Sequence, residues 1–186
     1  MKSRIALSIV VLVALSSLAQ EAAKPEPAKR QPLHESLQKM YDSVKRNLVE
    51  AAEVMPEDQY GFKPTPDVRS FGEIVGHVAS SQYFFCSSAL SLANPNKVDF
   101  EKLKTKKELV DALNQSNTYC DDSYKSAAES TLDAPITFGG HPATKGYPLV
   151  YNIAHDNEHY GNLVTYLRLK GIVPPSTARA KAAAAK

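Results

Sequence analysis

Cysteine is scarce in this chain, because only Cys86 and Cys120 occur among its 186 residues. Two thiolates so far apart are too few for a thiolate metal cage, so any metal site must use other ligands. In an oxidising compartment the two cysteines could pair. The sequence does not show whether their Cα atoms come within the roughly 7 Å that a disulfide requires. A disulfide and two buried thiols are therefore both open.

An excess of charge is also missing, since 22 Lys and Arg stand against 20 Asp and Glu. Lys2 and Arg4 lie at the very start of the chain, and without them the two signs balance. A nucleic-acid-binding surface needs a clustered basic patch, so we expect no nucleic-acid partner. A composition of 43% hydrophobic and 23% charged residues fits one globular domain with its own core.

A hydrophobic run long enough to span a membrane is absent too. The run from Ile5 to Leu15 has about half of the roughly 20 residues that a membrane span needs. It follows two basic residues and precedes small residues at 17–19, which is the pattern of an export signal. We predict a signal peptide over residues 1–19, a flexible linker over 20–31 and a periplasmic or extracellular protein. An uncleaved amphipathic anchor is the alternative.

Prolines divide the remaining chain into long stretches at 33–55, 67–94, 96–134 and 149–173. Helix interiors rarely tolerate proline, and none of these stretches alternates apolar and polar residues as a half-buried strand does. We therefore predict four long helices. Two glycines flanked by prolines over 135–142 predict a surface turn with a short extended pair. Residues 176–186 are mainly Ala and Lys, and we predict a disordered tail there.

Two of the helix starts carry a capping box. Ser70 with Glu73, and Thr105 with Glu108, place a hydroxyl and a carboxylate three residues apart, so that each can bond a free backbone N–H. The fourth helix is predicted to start between 144 and 148 and to end at Gly171, which suits a left-handed C-terminus.

Two histidines stand one helical turn apart on the fourth predicted helix. His155 and His159 project from the same side, about 40° apart around the axis, so both could bind one ion. The His-Glu-x-x-His order of metalloproteases is absent, which disfavours that class. His77, one turn after Ile74 on the second helix, is the candidate third ligand. An exposed or hydrogen-bonded pair, and a structural core histidine at 77, are the alternatives.

These residues resemble a known family, the DinB-like (YfiT-like) metalloenzymes. The stretch from Ser70 to Val78 looks like the family's second-helix motif. Residues 166–175 are similar to its closing stretch, and Phe62-Lys63-Pro64 resembles its segment before the second helix. The likeness covers roughly residues 33–175.

The resemblance implies an all-α, four-helix bundle domain over residues 32–175 that holds one divalent metal ion. In the family one ligand comes from the second helix and a His-x-x-x-His pair from the fourth. The matching positions are His77, His155 and His159. Members of the family often pair into dimers, so the resemblance also implies a possible homodimer.

Three imidazoles leave an open position on a tetrahedral ion, so metal-assisted hydrolysis and thiol transfer of a small-molecule substrate are both accessible. The ligand type suits Zn, Ni and Fe alike. Asn152 and Asn162 each lie one turn from a predicted ligand and could orient it. Glu158 is a candidate general base, although its position on the helix favours the solvent side.

Two other functions compete with a metal-dependent enzyme. One is a non-catalytic metal-binding or stress-associated interaction module, and the other is a metal-free bundle with structural histidines. His34 and His141 are interpreted as surface residues. Gly76 and Gly161 lie in helix interiors, where glycine costs about 1 kcal/mol relative to alanine. A close approach of a neighbouring segment would explain both glycines.

Overall fold

The computed structural model describes residues 31–185. The predicted signal peptide over 1–19 and all but the last residue of the predicted linker over 20–31 lie outside the described residues. The helices are α1 (Leu33–Val54), α2 (Phe71–Leu90), α3 (Lys106–Ser126), α4 (Gly146–Leu169) and α5 (Pro175–Ala184). The strands are β1 (Pro135–Phe138) and β2 (His141–Thr144), and short 3-10 turns cover Glu57–Gln59, Phe100–Lys102 and Glu129–Thr131.

The first four helices form the predicted bundle. The helix α2 packs against α3 and α4, and α1 packs against the same two helices. Around the bundle the order is therefore α1, α3, α2, α4. This arrangement places α2 beside α4, the two helices that carry the candidate metal ligands.

Both predicted capping boxes are confirmed. The Ser70 hydroxyl accepts a hydrogen bond from the Glu73 N–H at 3.2 Å, and the Glu73 carboxylate accepts one from the Ser70 N–H at 2.7 Å. Thr105 and Glu108 make the same reciprocal pair at 3.2 and 3.0 Å. These bonds satisfy backbone donors that lack intrahelical partners, so α2 and α3 begin where the sequence predicts.

The predicted ends of α4 and the predicted turn before it are also confirmed. Beyond the C-terminus of α4, Gly171 adopts a φ of 71°, a left-handed conformation that favours glycine. The strands β1 and β2 pair antiparallel with Pro135 opposite Thr144 and Phe138 opposite His141. Gly139 and Gly140 form the tight turn with φ values of 57° and 84°.

Buried apolar side chains fill the bundle along its length. One cluster includes Phe71, Val75 and Leu163, and a second cluster contains Tyr41 stacked on Tyr124 with ring centroids 4.1 Å apart. Removing these side chains from water supplies the main driving force for folding. Among the described residues no helix is long and apolar enough to cross a membrane.

Cys86 and Cys120 form a disulfide between α2 and α3, with Cα atoms 5.3 Å apart. Both residues are fully buried. The structure thus decides between the two possibilities that the sequence left open. The bond ties α2, the helix that carries His77, to α3.

The predicted disordered tail over 176–186 is corrected by the structure, because Pro175–Ala184 form α5. Arg179 binds the side chains of Glu50 and Asn47 on α1. The Tyr160 hydroxyl donates a hydrogen bond to Ser176 at 2.7 Å. The alanines favour helix, and these polar contacts hold it against the bundle although it buries little apolar surface.

Candidate metal centre

Three histidines converge between α2 and α4. The Nε2 atom of His155 lies 3.1 Å from Nε2 of His77 and 3.1 Å from Nε2 of His159. The candidate ligand atoms of the three rings all lie within 4.8 Å of one another. The structure therefore brings together the three residues that the sequence predicts as ligands, and the group could hold a metal ion.

Close packing beside Gly76 brings a fourth residue to this group. A Cβ atom on Gly76 would lie 2.4 Å from the carbonyl oxygen of Phe100, so α2 touches the backbone of the 3-10 turn Phe100–Lys102. This contact is possible only with glycine. It places Glu101, the middle residue of the turn, against His77, which follows Gly76 in the chain.

Glu101 orients the ring of His77. The two side chains meet at 2.8 Å between Nδ1 of His77 and the Glu101 carboxylate. Arg69 holds the same carboxylate through two N–H groups at 3.0 and 3.4 Å. This pair of contacts fixes the carboxylate on the side of the ring that faces away from the other histidines.

The protonation states of Glu101 and His77 follow from these contacts. Burial raises the pKa of Glu101, but hydrogen bonds from Arg69 and His77 outweigh it and lower the pKa overall. Burial lowers the pKa of His77 and outweighs the attraction of Glu101. At pH 7 the ring is therefore neutral, its Nδ1–H donates to the Glu101 carboxylate, and Nε2 is free to bind an ion.

His159 is also neutral near pH 7. Burial, followed by the charges that His155 and His77 would carry if protonated, lowers the pKa of His159 to about 4. The side-chain nitrogen Nδ2 of Asn162 lies 3.4 Å from Nδ1 of His159. A 180° turn of the amide brings its oxygen to this position, where it can accept the Nδ1 proton, so the predicted role of Asn162 beside this ring is compatible with the structure.

A buried carboxylate lies behind His155. Neither Nδ1 of His155 nor Oδ1 of Asp156 has a hydrogen-bond partner among the described residues, and these two atoms are 3.8 Å apart. The other oxygen of Asp156 accepts hydrogen bonds from Gln82 at 3.0 Å and from Asn152 at 3.3 Å. Asn152 therefore contacts the carboxylate that lies beside His155, and not His155 itself.

The donor set fits a divalent transition-metal ion. Each of the three rings directs Nε2 to the shared point, and a polar group lies near each Nδ1: Glu101, Asp156 and Asn162 in turn. Metal-binding imidazoles usually donate their other N–H to a partner that fixes the tautomer, and Glu101 is such a partner for His77. The two 3.1 Å separations are near the N···N distance of about 3.3 Å that tetrahedral Zn–N bonds of about 2.0 Å produce.

Two clefts reach the candidate metal centre, one lined by His159 and the other by His155. His159 lines a cleft of about 760 Å³ whose charged walls include Lys63, Arg69 and Glu101. His155 lines a cleft of about 730 Å³ whose walls are mainly aromatic. The candidate centre is thus reached by surfaces of different chemistry.

The other predicted residues have different positions. Glu158 is exposed, as predicted, and lines the charged cleft beside His159. His34 contacts Glu129 and none of the three candidate ligands. The exposed His141 lines the aromatic cleft. Close packing explains Gly76 but not Gly161, because nothing lies within 4 Å of a Cβ at Gly161.

The sequence did not reveal Glu101, Arg69, Gln82 or the aromatic cleft. Glu101 follows His77 by 24 residues and lies in a three-residue turn, where no periodicity exists to show which way its side chain points. Gly76 was the one local signal, since its position in a helix interior indicates a close approach. The segment that approaches it is fixed only by tertiary packing.

Comparison with known proteins gives a consistent result. The sequence profile of the DinB superfamily matches residues 40–163, more than half of the chain. A search of functionally curated proteins with this chain found no match. Three crystal structures of similar proteins support the fold alone, since their sequence identities are low.

The first is a DinB-like protein from Bacillus cereus ATCC 10987, 18% identical, with a TM-score of 0.67 over 76% of this chain and 95% of that one. A DinB-like protein from Bacillus subtilis is 24% identical, with a TM-score of 0.60 over 73% of this chain and 92% of its own. A member assigned to the DinB family from Exiguobacterium sibiricum is 20% identical, with a TM-score of 0.52 over 76% and 93%.

Proposed function

This chain belongs to the DinB superfamily, and we propose that it is an exported member that binds one divalent metal ion through His77, His155 and His159. We further propose that the bound ion serves a metal-dependent hydrolase or thiol transferase. The observation that carries the proposal is the convergence of three Nε2 atoms from two helices.

The residues around the ligands support this role. Neutral rings at pH 7 leave Nε2 available without a competing proton, since the pKa values of His77 and His159 are both lowered. Glu101 holds the proton on Nδ1 of His77, and Arg69 holds the carboxylate in place. A divalent ion at such a site supplies Lewis acidity and can lower the pKa of a bound water or thiol.

Export is supported by the disulfide. Cys86 and Cys120 are paired, and disulfides persist mainly in oxidising compartments such as the periplasm and the extracellular space. Together with the predicted signal peptide over 1–19, this favours a periplasmic or extracellular protein.

A non-catalytic metal-binding module is the second candidate. It is favoured by the engagement of Glu101, which contacts both His77 and Arg69 and so is not available as a general base. If the protein is an enzyme, the candidate general base is instead Glu158, which is exposed and lines the same cleft as His159.

Metal analysis of untagged protein tests the metal site. We expect one ion per chain in the wild-type protein and in a His34→Ala control, whose histidine contacts Glu129 instead of the centre. The His155→Ala/His159→Ala double variant is expected to lose the ion. Equal metal content in all three proteins would end the proposal.

Turnover distinguishes the two candidate functions. The metal-loaded protein is screened with esters, amides and thiol acceptors, with and without a chelator. Activity that disappears with the chelator and in the double variant supports the enzyme. A metal-loaded protein that turns over none of these substrates supports the binding module.

A further inference from the structure

The cleft on the His155 side has five phenylalanine and tyrosine rings in its walls. Its volume is about 730 Å³, within the range of about 300–1,000 Å³ typical of small-molecule sites. Its aromatic walls and the adjoining candidate ligand are Phe84, Phe85, Phe138, Tyr147, Tyr151 and His155.

The β-hairpin completes this cleft. Phe138 at the end of β1 lies 5.3 Å from the Phe84 ring of α2 and 5.4 Å from the Tyr147 ring of α4, measured between ring centroids. The hairpin therefore links the two helices that carry the candidate ligands.

Much of this aromatic surface is exposed. The exposed fractions are 41% for Phe84, 47% for Tyr147 and 45% for Tyr151. A cluster of large rings open to solvent commonly marks a place where another molecule binds. The hairpin and the helices form a concave surface here, which suits a small molecule better than a flat partner.

The lining also indicates the charge of the occupant. Among the described residues that line this cleft there is no Asp, Glu, Lys or Arg, whereas the cleft beside His159 contains Lys63, Arg69 and Glu101. The polar groups of this lining are the tyrosine hydroxyls and the imidazoles of His141 and His155, so an ionic group would find no carboxylate, ammonium or guanidinium partner here. A flat, uncharged ring would stack on the tyrosines and phenylalanines in offset or edge-to-face arrangements.

The aromatic cleft is continuous with the candidate metal centre. The rings of Phe85 and His155 meet edge to face with centroids 5.2 Å apart, and His155 lines the cleft itself. A molecule whose ring lies against Phe138 and Tyr151 would thus have its next atoms beside His155.

We propose that this cleft binds the uncharged aromatic ring of a small-molecule substrate, whose reacting group then reaches the ion held by His155. The second half of this statement rests on the proposed metal-binding function. The ring-binding half stands on the cleft alone, so the two are tested with different ligands.

Paired hydroxamates test the cleft in zinc-loaded protein. Benzohydroxamic acid and acetohydroxamic acid carry the same metal-binding group and differ in the ring. We expect benzohydroxamic acid to bind at least about tenfold more tightly, because its ring gains aromatic contacts. Phe138→Ala and Tyr151→Ala should remove most of this advantage and leave acetohydroxamic acid unchanged. Tyr119→Ala on α3, whose ring contacts Tyr83, is the matched control and should keep the advantage.

Binding of 1-naphthol to metal-free protein tests the cleft without the ion. We expect 1-naphthol to shift the ring resonances of Phe138 and Tyr151 in a saturable way. In the Phe138→Ala variant, the Tyr151 resonance should no longer shift. If zinc does not bind but 1-naphthol does, the proposed metal function fails and the ring-binding site stands. If zinc binds but both hydroxamates bind equally and 1-naphthol shifts no ring, the ring-binding site is overturned.

Other occupants are separate outcomes of the same series. Sedimentation of wild-type and Phe138→Ala protein shows whether a second copy covers the cleft. A dimer that dissociates in Phe138→Ala would overturn the substrate site. The substrate site would also be overturned if 1-naphthol bound the rings only after residues 1–30 had been removed. Equal sedimentation coefficients for the wild-type and Phe138→Ala proteins would support the substrate site.

Discussion

Glu101 accepts a hydrogen bond from Nδ1 of His77 at 2.8 Å, and this contact decides which ring nitrogen faces His155 and His159. Partners on the remote nitrogen of a metal-binding histidine hold the ring in one tautomer and one orientation. The orientation of His77 for metal binding thus depends on Glu101, which lies in the 3-10 turn Phe100–Lys102 and outside both helices that carry the histidines.

Replacing Glu101 with Gln should weaken metal binding by about 10- to 100-fold, the range typical for such partners. Glutamine keeps the shape but removes the charge that stabilises the Nδ1 proton and binds Arg69. A competition titration with a chromogenic chelator measures the change. Glu158→Gln is the matched control, because this exposed carboxylate lines the same cleft. An affinity of Glu101→Gln equal to that of the control would contradict the role.

Gly76→Ala should both destabilise the fold and weaken metal binding. The new Cβ would lie 2.4 Å from the Phe100 carbonyl oxygen, so the turn that carries Glu101 must move. We expect a loss of about 1–3 kcal/mol, as for other overpacked positions, together with reduced zinc affinity. Urea unfolding and the chelator titration measure the two effects.

Gly161→Ala provides the control for the glycine prediction. This glycine also lies inside a helix, but nothing lies within 4 Å of a Cβ placed there. Alanine should therefore stabilise the protein by about 0.5–1 kcal/mol, because it removes the conformational freedom of glycine. Stability should therefore change in opposite directions at the two glycines. Two glycines with the same response would show that the Phe100 contact does not restrict position 76.

The parts of the structure that could be predicted from the sequence are those fixed by local geometry. The capping boxes at Ser70 and Thr105 depend on residues three apart, and the relation of His155 to His159 depends on one helical turn. These contacts follow from the helix itself. His77 needed more, namely that α2 packs beside α4, and the family resemblance supplied that expectation.

The remaining parts depend on packing between distant segments. Glu101 reaches His77 because α2 contacts a 3-10 turn, and Phe138 reaches Phe84 because the hairpin folds onto α2. The helix over 175–184 was missed for another reason. Its composition indicated little to bury, yet Arg179 binds Glu50 and Asn47 on α1.

The disulfide should contribute about 3–4 kcal/mol to stability, because it closes a long loop in the unfolded chain; Cys86 and Cys120 are 34 residues apart. The Cys86→Ala/Cys120→Ala variant should lose about this amount in urea unfolding. Thiol titration under denaturing conditions of protein purified without reductant should find no free sulfhydryl. Two free sulfhydryls, or an unchanged unfolding midpoint in the double variant, would contradict the prediction.

The capping carboxylate Glu73 should make stability depend on acid pH. A hydrogen bond from the Ser70 backbone N–H, followed by the interaction with Lys63, lowers the pKa of Glu73. Its folded pKa is thus below the unfolded value of about 4.3. The contribution is fully present above that unfolded value and disappears as the pH falls through the folded pKa.

Glu73→Gln tests this pH dependence, since glutamine can still accept the Ser70 N–H but carries no charge. At pH 7 the variant should be less stable by under about 1 kcal/mol, because the ion pair is exposed. The difference should shrink as the pH falls below 4, because the wild-type carboxylate then becomes protonated. Lys63→Gln removes the ion pair but leaves the backbone bond, so it should keep part of the pH dependence. Urea unfolding at pH 7 and at the lowest pH where all three proteins fold measures the effect, and a constant gap would refute it.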